Sequence, residues 1–188
     1  MRIIAGKYKG RQIAFPKHIR PTQDKVRQAI FDTLGQDFKG RIVLDLFSGS
    51  GALGLEALSR GAKNVVFVDI ERKCNSLIGK NLENLNFQFD RTQEVEIYRQ
   101  DAFRAIGVAA KRKRKFDVVF ADPPYYKDLA KKLLKTPGLD DIVPIYGFFV
   151  LEHASTDSLD FEPKESVFKL YKEAQFGKIR VTYFIKKK

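Results

Sequence analysis

The stretch Ile42-Val43-Leu44-Asp45-Leu46-Phe47-Ser48-Gly49-Ser50-Gly51-Ala52-Leu53-Gly54-Leu55-Glu56 decides the fold. Ile42 to Phe47 is a nearly continuous apolar run, as a strand buried on both faces requires. It breaks at a turn of serines and glycines and passes into a helical run, Ala52 to Ser59, ended by Gly61. Strand, turn and helix make the unit of a doubly wound α/β sheet, and the rhythm repeats downstream. Val65 to Asp69, Val95 to Tyr98, Phe116 to Ala121 and Phe148 to Leu151 are the further strands expected. Glu71 to Leu85, a short segment through Ala110, and Lys127 to Leu134 are the helices between them. Ser166 to Glu173 and Ile179 to Ile185 instead alternate by twos around Phe176-Gly177-Lys178, which predicts a closing antiparallel hairpin. The expectation is a mostly parallel, seven-stranded, Rossmann-like sheet.

Ahead of this core, residues 2–5 and 11–15 are short apolar runs around Gly6-Lys7-Tyr8-Lys9-Gly10, a small β-hairpin. Val26, Ala29, Ile30, Phe31 and Leu34 then recur at helical spacing, with Thr22 placed to cap them after Pro21. The expected organisation is a hairpin extension over 1–20, RNA-binding in character, and one domain over 21–188.

Composition narrows the partners. The 188 residues carry 35 basic against 23 acidic side chains, a net charge of +12, which suits a polyanion. Basic residues recur through the first 41 positions, and Lys111-Arg112-Lys113-Arg114-Lys115 is unbroken, although such runs are more often solvated loops. No apolar run approaches the ~18 residues of a membrane span. The opening Met1-Arg2-Ile3-Ile4-Ala5-Gly6-Lys7 turns polar too soon for a signal peptide. The single Cys74 fits a reducing, cytoplasmic setting and excludes a cysteine-based metal site; no metal is expected.

The turn Phe47-Ser48-Gly49-Ser50-Gly51 allows a ligand close to backbone that a Cβ would block, and the helix beyond offers unpaired N–H donors. Glycines alone do not separate a dinucleotide site from others. Asp45 does: a carboxylate there complements an ammonium, as on a methionine moiety, and repels a pyrophosphate. The alternative is an Asp that caps the turn. Asp69 closes the second strand, where an acid hydrogen-bonds ribose hydroxyls, and Glu71 is the competing acid. Asp101-Ala102 follows the third strand and can reach an adenine amine, with a helix N-cap as its alternative. Acids at three successive strand ends outline a nucleoside-shaped groove. That groove and the closing antiparallel pair point to S-adenosylmethionine-dependent methyltransferases rather than dehydrogenases.

The most specific feature is Asp122-Pro123-Pro124-Tyr125, after the fourth strand. Two prolines fix φ and give up their N–H groups, leaving a stiff loop with outward carbonyls, a carboxylate and a ring. These parts hold a planar amine: its hydrogens donate to Asp122 and the Pro123 carbonyl while Tyr125 stacks on the base. A rigid turn with a packing tyrosine is the alternative, and it does not explain the whole tetrad. Asp122 also borders the cofactor in this reading.

With these residues in hand, the chain resembles the bacterial family that methylates N2 of one guanine in small-subunit ribosomal RNA. The resemblance rests on Arg2 to Arg11, Arg20-Pro21-Thr22-Gln23-Asp24-Lys25-Val26-Arg27-Gln28-Ala29-Ile30-Phe31, Asp45 to Leu58 and the tetrad. It implies the class I methyltransferase fold, S-adenosyl-L-methionine as cofactor, and Arg20, Pro21 and Thr22 in a loop over cofactor and base, with Pro124 and Tyr125 expected at the substrate. It also implies that the hairpin, with Lys7 and Arg11, grips RNA, and that the substrate is an assembling 30S particle. A monomer is expected. The pentabasic run at 111–115 is not a feature of that family. Guanine N2 is paired in a duplex, so the base must be unpaired or flipped out.

Two rival readings differ in class. A DNA adenine N6-methyltransferase shares the tetrad, but the chain lacks room for a target-recognition domain. A catalytically silent RNA-binding assembly factor is opposed by the intact glycines and Asp122. Of the remaining residues, His18 is expected at a phosphate and His153 in a structural role or at the site mouth. Phe15 and Tyr126 are expected to pack or to stack on bases, and Cys74 to be buried.

Overall fold

Seven strands and six helices occur among the described residues, which in this computed structural model are 1–15, 24–87, 93–125, 128–159 and 167–187. Arg20, Thr22, His18, Tyr126, Lys127 and Ser166 fall outside them. The strands are those of a mixed seven-stranded sheet. The chain divides into two compact units, Met1–Gln100 and Asp101–Lys188. No described helix is long and apolar enough to cross a membrane.

In the first unit, β1 (Ile42–Leu46), β2 (Asn64–Asp69) and β3 (Glu94–Arg99) run parallel in the order β3-β2-β1. All six residues of β2 are buried, as an inner parallel strand demands, whereas β3 is half-exposed. The register pairs Leu46 with Val68 and Asp69 with Arg99, so the carboxyl ends of the strands finish along one edge.

Helix α2 (Ala52–Ser59) is buried at all eight positions, Glu56 included. A helix enclosed on every side needs a cover on each. One cover is β2, approached so closely at Gly54 that a Cβ there would sit 2.2 Å from the Phe67 ring. The other is the N-terminal segment. It closes as a small hairpin on the antiparallel bridge of Arg2 with Gln12 and on backbone bonds from Ile3 to Arg11, Gly10 to Ile3 and Ile13 to Met1, and its Ile3, Tyr8 and Ile13 are buried. Residues 1–15 thus pack into the first unit.

Glu56 holds the two together. Its carboxylate accepts the Ile4 and Ala5 N–H groups at 2.8 and 2.9 Å and pairs with the Arg60 guanidinium at 2.9 Å. Ser59 adds a bond from the Lys7 N–H to its carbonyl and from the Tyr8 N–H to its hydroxyl. Helix α1 (Asp24–Leu34) buries Val26, Ile30, Phe31 and Leu34 as its spacing predicts, and Arg27 as it does not. The Arg27 guanidinium donates to the Arg2 carbonyl at 2.6 Å and to Asp24 at 2.8 Å. Helix α3 (Arg72–Asn84) completes the unit.

The second unit contains α4 (Ala102–Lys111), β4 (Val118–Ala121), α5 (Leu129–Leu134), α6 (Leu139–Ile142), β5 (Phe148–Ala154), β6 (Phe168–Phe176) and β7 (Ile179–Lys186). Its strand order is β4-β5-β7-β6, with β4 and β5 parallel and β7 antiparallel to both neighbours. The closing hairpin is therefore present, turning at Gly177 and Lys178. Edge strand β6 is exposed and breaks register between Leu170 and Lys172, a bulge of the kind that blunts an edge. Helix α6 went unread in the sequence because four residues between Gly138 and Pro144 carry no periodic signal.

Removing the Glu56 carboxylate strands a buried guanidinium and two amides. Breaking such a pair from one side costs about 3–5 kcal/mol. Glu56→Ala is expected to unfold at correspondingly lower denaturant and to lose hydrogen-exchange protection at Ile4 and Ala5. Unchanged protection at these amides would show that Glu56 does not hold the segment.

Candidate cofactor and amine sites

The β1–α2 turn is built by hydrogen bonds that converge from β1 and β2. The Ser48 hydroxyl lies 3.0 Å from the Asp45 carbonyl and 2.9 Å from the Val68 carbonyl. Phe47, Gly49 and Gly51 all take positive φ, at 56°, 54° and 76°. A Cβ at Gly49 would meet the Phe47 carbonyl at 3.9 Å, an ordinary contact distance, so its positive φ rather than crowding is what favours glycine there.

The acids chosen from the sequence each have a backbone task. Asp45 is 3% exposed and accepts the Gly54 N–H at 3.0 Å, so it caps α2 as well as facing the turn. Burial pushes its carboxyl up to about 8, the Gly54 N–H pulls it down, and the charge of Asp69 raises it further. A cation is the natural complement to a carboxyl held this way. Asp69 accepts the Gly49 N–H on Oδ2 and the Glu71 N–H on Oδ1, both at 2.8 Å. It thereby joins the turn to the end of β2. A carboxylate has roughly four lone-pair sites, so these two amides do not exhaust its capacity to accept. The donor set fits a ligand that carries an ammonium and a ribose.

Asn81 was not singled out in the sequence, where it reads as one more polar residue on a helix. It is fully buried on α3. Its amide nitrogen donates to the Ser50 carbonyl at 3.1 Å and the Ala14 carbonyl at 2.9 Å, and its oxygen accepts the Ala14 N–H at 2.8 Å. One side chain therefore sets the glycine turn and the N-terminal segment together. Asn75, one helical face away, holds the Asp69 and Glu71 carbonyls at 3.0 and 2.8 Å.

Of the basic residues expected at RNA, Arg11 donates to the Leu85 carbonyl and lies over the Tyr8 ring, and Lys7 lies over the same ring at 5.5 Å. Both are exposed.

In the second unit, Asp101 accepts the Arg104 N–H at 3.0 Å and N-caps α4, with Ala102 buried behind it. The tetrad leaves β4 at the carboxyl end. Asp122 is half-exposed, Pro123 buried, Pro124 and Tyr125 exposed. Ala121 pairs with Leu151 in parallel register, so Asp122 and Glu152 follow at the same edge. Glu152 is 3% exposed and accepts the Tyr125 hydroxyl at 2.6 Å. That bond fixes the ring's edge and leaves its side 44% exposed. Glu152 has no sequence signal, because its role comes only from the register. His153 is buried with Nε2 2.9 Å from the Thr182 hydroxyl, a structural placement, and burial holds its pKa below the ordinary value. Cys74 is buried, and burial pushes its thiol up to about 12.

Residues 1–185 match the family described as Conserved hypothetical protein 95. The Bacillus subtilis (strain 168) protein named "Putative rRNA methyltransferase YlbH" is 42% identical over 155 residues, covering 81% of this chain and 82% of that protein. "Ribosomal RNA small subunit methyltransferase D" of Buchnera aphidicola subsp. Acyrthosiphon pisum (strain APS) is 32% identical over 97% of this chain and 92% of its own length. The solved structure of "Putative methyltransferase yhhF from Escherichia coli" superposes with a TM-score of 0.81 at 26% identity, over 100% of this chain and 98% of that one. The fold is that of class I methyltransferases. The chain belongs to this family, alongside the ribosomal RNA small subunit methyltransferase D proteins, and is an S-adenosylmethionine-dependent methyltransferase.

Proposed function

We propose that this protein methylates the exocyclic N2 amine of one guanine in small-subunit ribosomal RNA, within an assembling 30S particle, as a cytoplasmic monomer. The observation that carries the reading is the tetrad Asp122-Pro123-Pro124-Tyr125 at the carboxyl end of β4, its tyrosine tied to Glu152. The names of the relatives support ribosomal RNA as the substrate.

Bound S-adenosylmethionine supplies an electrophilic methyl on a positively charged sulfur. The first unit provides the groups for that donor: Asp45 for its ammonium, Asp69 for its ribose, and the turn Phe47 to Gly51 for close approach. Asp101 and Ala102 are assigned to its adenine. The second unit provides the groups for the amine. A base amine is a poor nucleophile because its lone pair is delocalised into the ring. Asp122 and the Pro123 carbonyl accept its two hydrogens, favour a pyramidal nitrogen and so restore the lone pair. Asp122 takes the proton as the N–C bond forms, when that proton has become acidic. Tyr125, and Pro124 beside it, hold the ring. Proximity and orientation then supply most of the rate. Arg20, Thr22, Lys7 and Arg11 are assigned to RNA.

Labelled methyl transfer to small-subunit ribosomal RNA or its particles, followed by mass spectrometry of the nucleoside, tests the reading directly. N2-methylguanosine is the expected product. Label in adenine of DNA would replace the reading with the rival, and binding of RNA without transfer would indicate a silent factor. Asp122→Asn is expected to lower kcat by at least about a hundredfold, the loss typical of a preorganised polar group at a reacting centre. Its donor Kd should stay within a few-fold, and a parent-like kcat would overturn the assignment.

The state of Asp45 gives a pH signature. Below about 8 its carboxyl is largely protonated in the free protein, and an ammonium favours the ionised form, so binding releases a proton. S-adenosylhomocysteine affinity should therefore rise with pH from 6 towards 8, by up to about tenfold per unit. It should flatten as the ligand's own amine deprotonates near 8. Asp45→Asn should lose this slope, and a pH-independent affinity in the parent would show that Asp45 does not meet the ammonium. The sign for folding is opposite: a raised carboxyl stabilises most at low pH, and its contribution is lost as pH rises through about 8.

A further inference from the structure

The basic run at 111–115 takes no part in the chemistry above, yet it has a defined shape. The Lys113 N–H donates to the Ala110 carbonyl at 2.9 Å and the Arg114 N–H to the Ala109 carbonyl at 3.0 Å. These are the two bonds of a Schellman closure of α4, with Lys113 at the left-handed position, φ 54°. Glycine is the residue that relieves this position, and a lysine stands there under backbone strain.

Two further segments join the run. Lys115 donates through its ammonium to the Asp141 carbonyl, and Lys186 to the Asp140 carbonyl at 2.7 Å, both on α6. The Tyr146 N–H donates to the Lys186 carbonyl, and the Lys186 N–H to that of Gly147. With Lys187, these joined segments carry seven basic residues against three acidic ones, Asp117, Asp140 and Asp141. Tyr146, bonded to Lys186 through its backbone, is 66% exposed and itself at positive φ, and Ile145 is 49% exposed. Cations around an open aromatic ring are the composition of a nucleic-acid contact, with phosphates on the charges and an unpaired base on the ring.

This face is at the amino end of β4, whereas the tetrad is at its carboxyl end. From Lys115 to Asp122 the chain advances seven residues, at most about 23 Å at ~3.3 Å each. Phosphates held here are therefore remote from the target nucleotide.

We propose that residues 111–115, with Lys186, Lys187 and Tyr146, form a second RNA-binding surface that grips the backbone of a folded substrate away from the methylated base. The proposal rests on RNA being the substrate. Basic side chains at a helix end also favour its dipole, and that alternative predicts an effect on stability alone.

The test is the triple variant Lys111→Gln/Arg112→Gln/Lys113→Gly, in which glycine relieves the strained position. For a full-length small-subunit ribosomal RNA transcript, KM should rise about tenfold with kcat and the donor KM unchanged. The slope of log affinity against log salt should become shallower by about 2–3, the loss of some three phosphate contacts. For a short stem-loop carrying only the target, KM should not change. Tyr146→Ala should weaken transcript binding without changing the salt slope. Parent-like transcript affinity and salt slope in the triple variant would overturn the proposal, even if its melting temperature moved. If the parent protein itself bound and methylated no RNA, the substrate reading would fail instead.

Discussion

Helix α2 is enclosed on every side, and much of the first unit follows from satisfying that enclosure. Its first turn ends the glycine-rich segment, its Gly54 lets it lie against the Phe67 ring, and its Glu56 faces away from the sheet. A carboxylate buried there needs several donors at once. They come from Arg60 on the same helix and from the Ile4 and Ala5 amides. The N-terminal segment is thus a wall of the unit rather than an appendage. Asn81 repeats the logic from α3, binding Ala14 and Ser50 with one amide. Segment and turn are held by the same few buried polar groups.

This explains which parts of the molecule are visible in the sequence. Apolar periodicity reports burial against a sheet, so the seven strands, the closing hairpin and the longer helices follow from residue spacing. The boundaries differ by a few residues, with β5 running on to Ala154 and β4 starting only at Val118. The tetrad stands out because turn chemistry accounts for its acid and its prolines but not for the whole run Asp122-Pro123-Pro124-Tyr125. Glu56, Arg27, Asn81 and Glu152 are not legible. Each is a polar residue whose partner is brought to it by the fold, and nothing in the local pattern says that it is buried. Arg27 lies inside the stripe that defines α1, where sequence spacing reads only the apolar neighbours.

The three acids at strand ends show a subtler case. In the sequence Asp45, Asp69 and Asp101 stand as candidate ligand carboxylates, with capping as the alternative for Asp45 and Asp101. The structure shows each accepting backbone N–H groups. The two readings are compatible in physical terms. A carboxylate fixed by an amide keeps lone pairs to offer, and its direction is set before any ligand arrives. Asp69 is the clearest example, since both oxygens are oriented by amides that belong to the turn and to the start of α3.

The same economy governs the tetrad. A tyrosine that stacks on a base must present its face, which exposes a large apolar surface and leaves the ring free to rotate. Freezing that rotation on binding would cost entropy for each such side chain. The hydroxyl bond to Glu152 restrains it beforehand, at the ring's far edge, away from the face that the proposal assigns to the base. Pro123 and Pro124 do the same for the backbone by fixing φ. Glu152 is placed by the parallel register of β4 and β5 and held among buried neighbours, so the orientation of an exposed ring is set from inside the sheet. In the proposed reaction such a loop would meet the amine with little left to order, leaving binding energy to strain that amine towards the pyramidal geometry transfer needs.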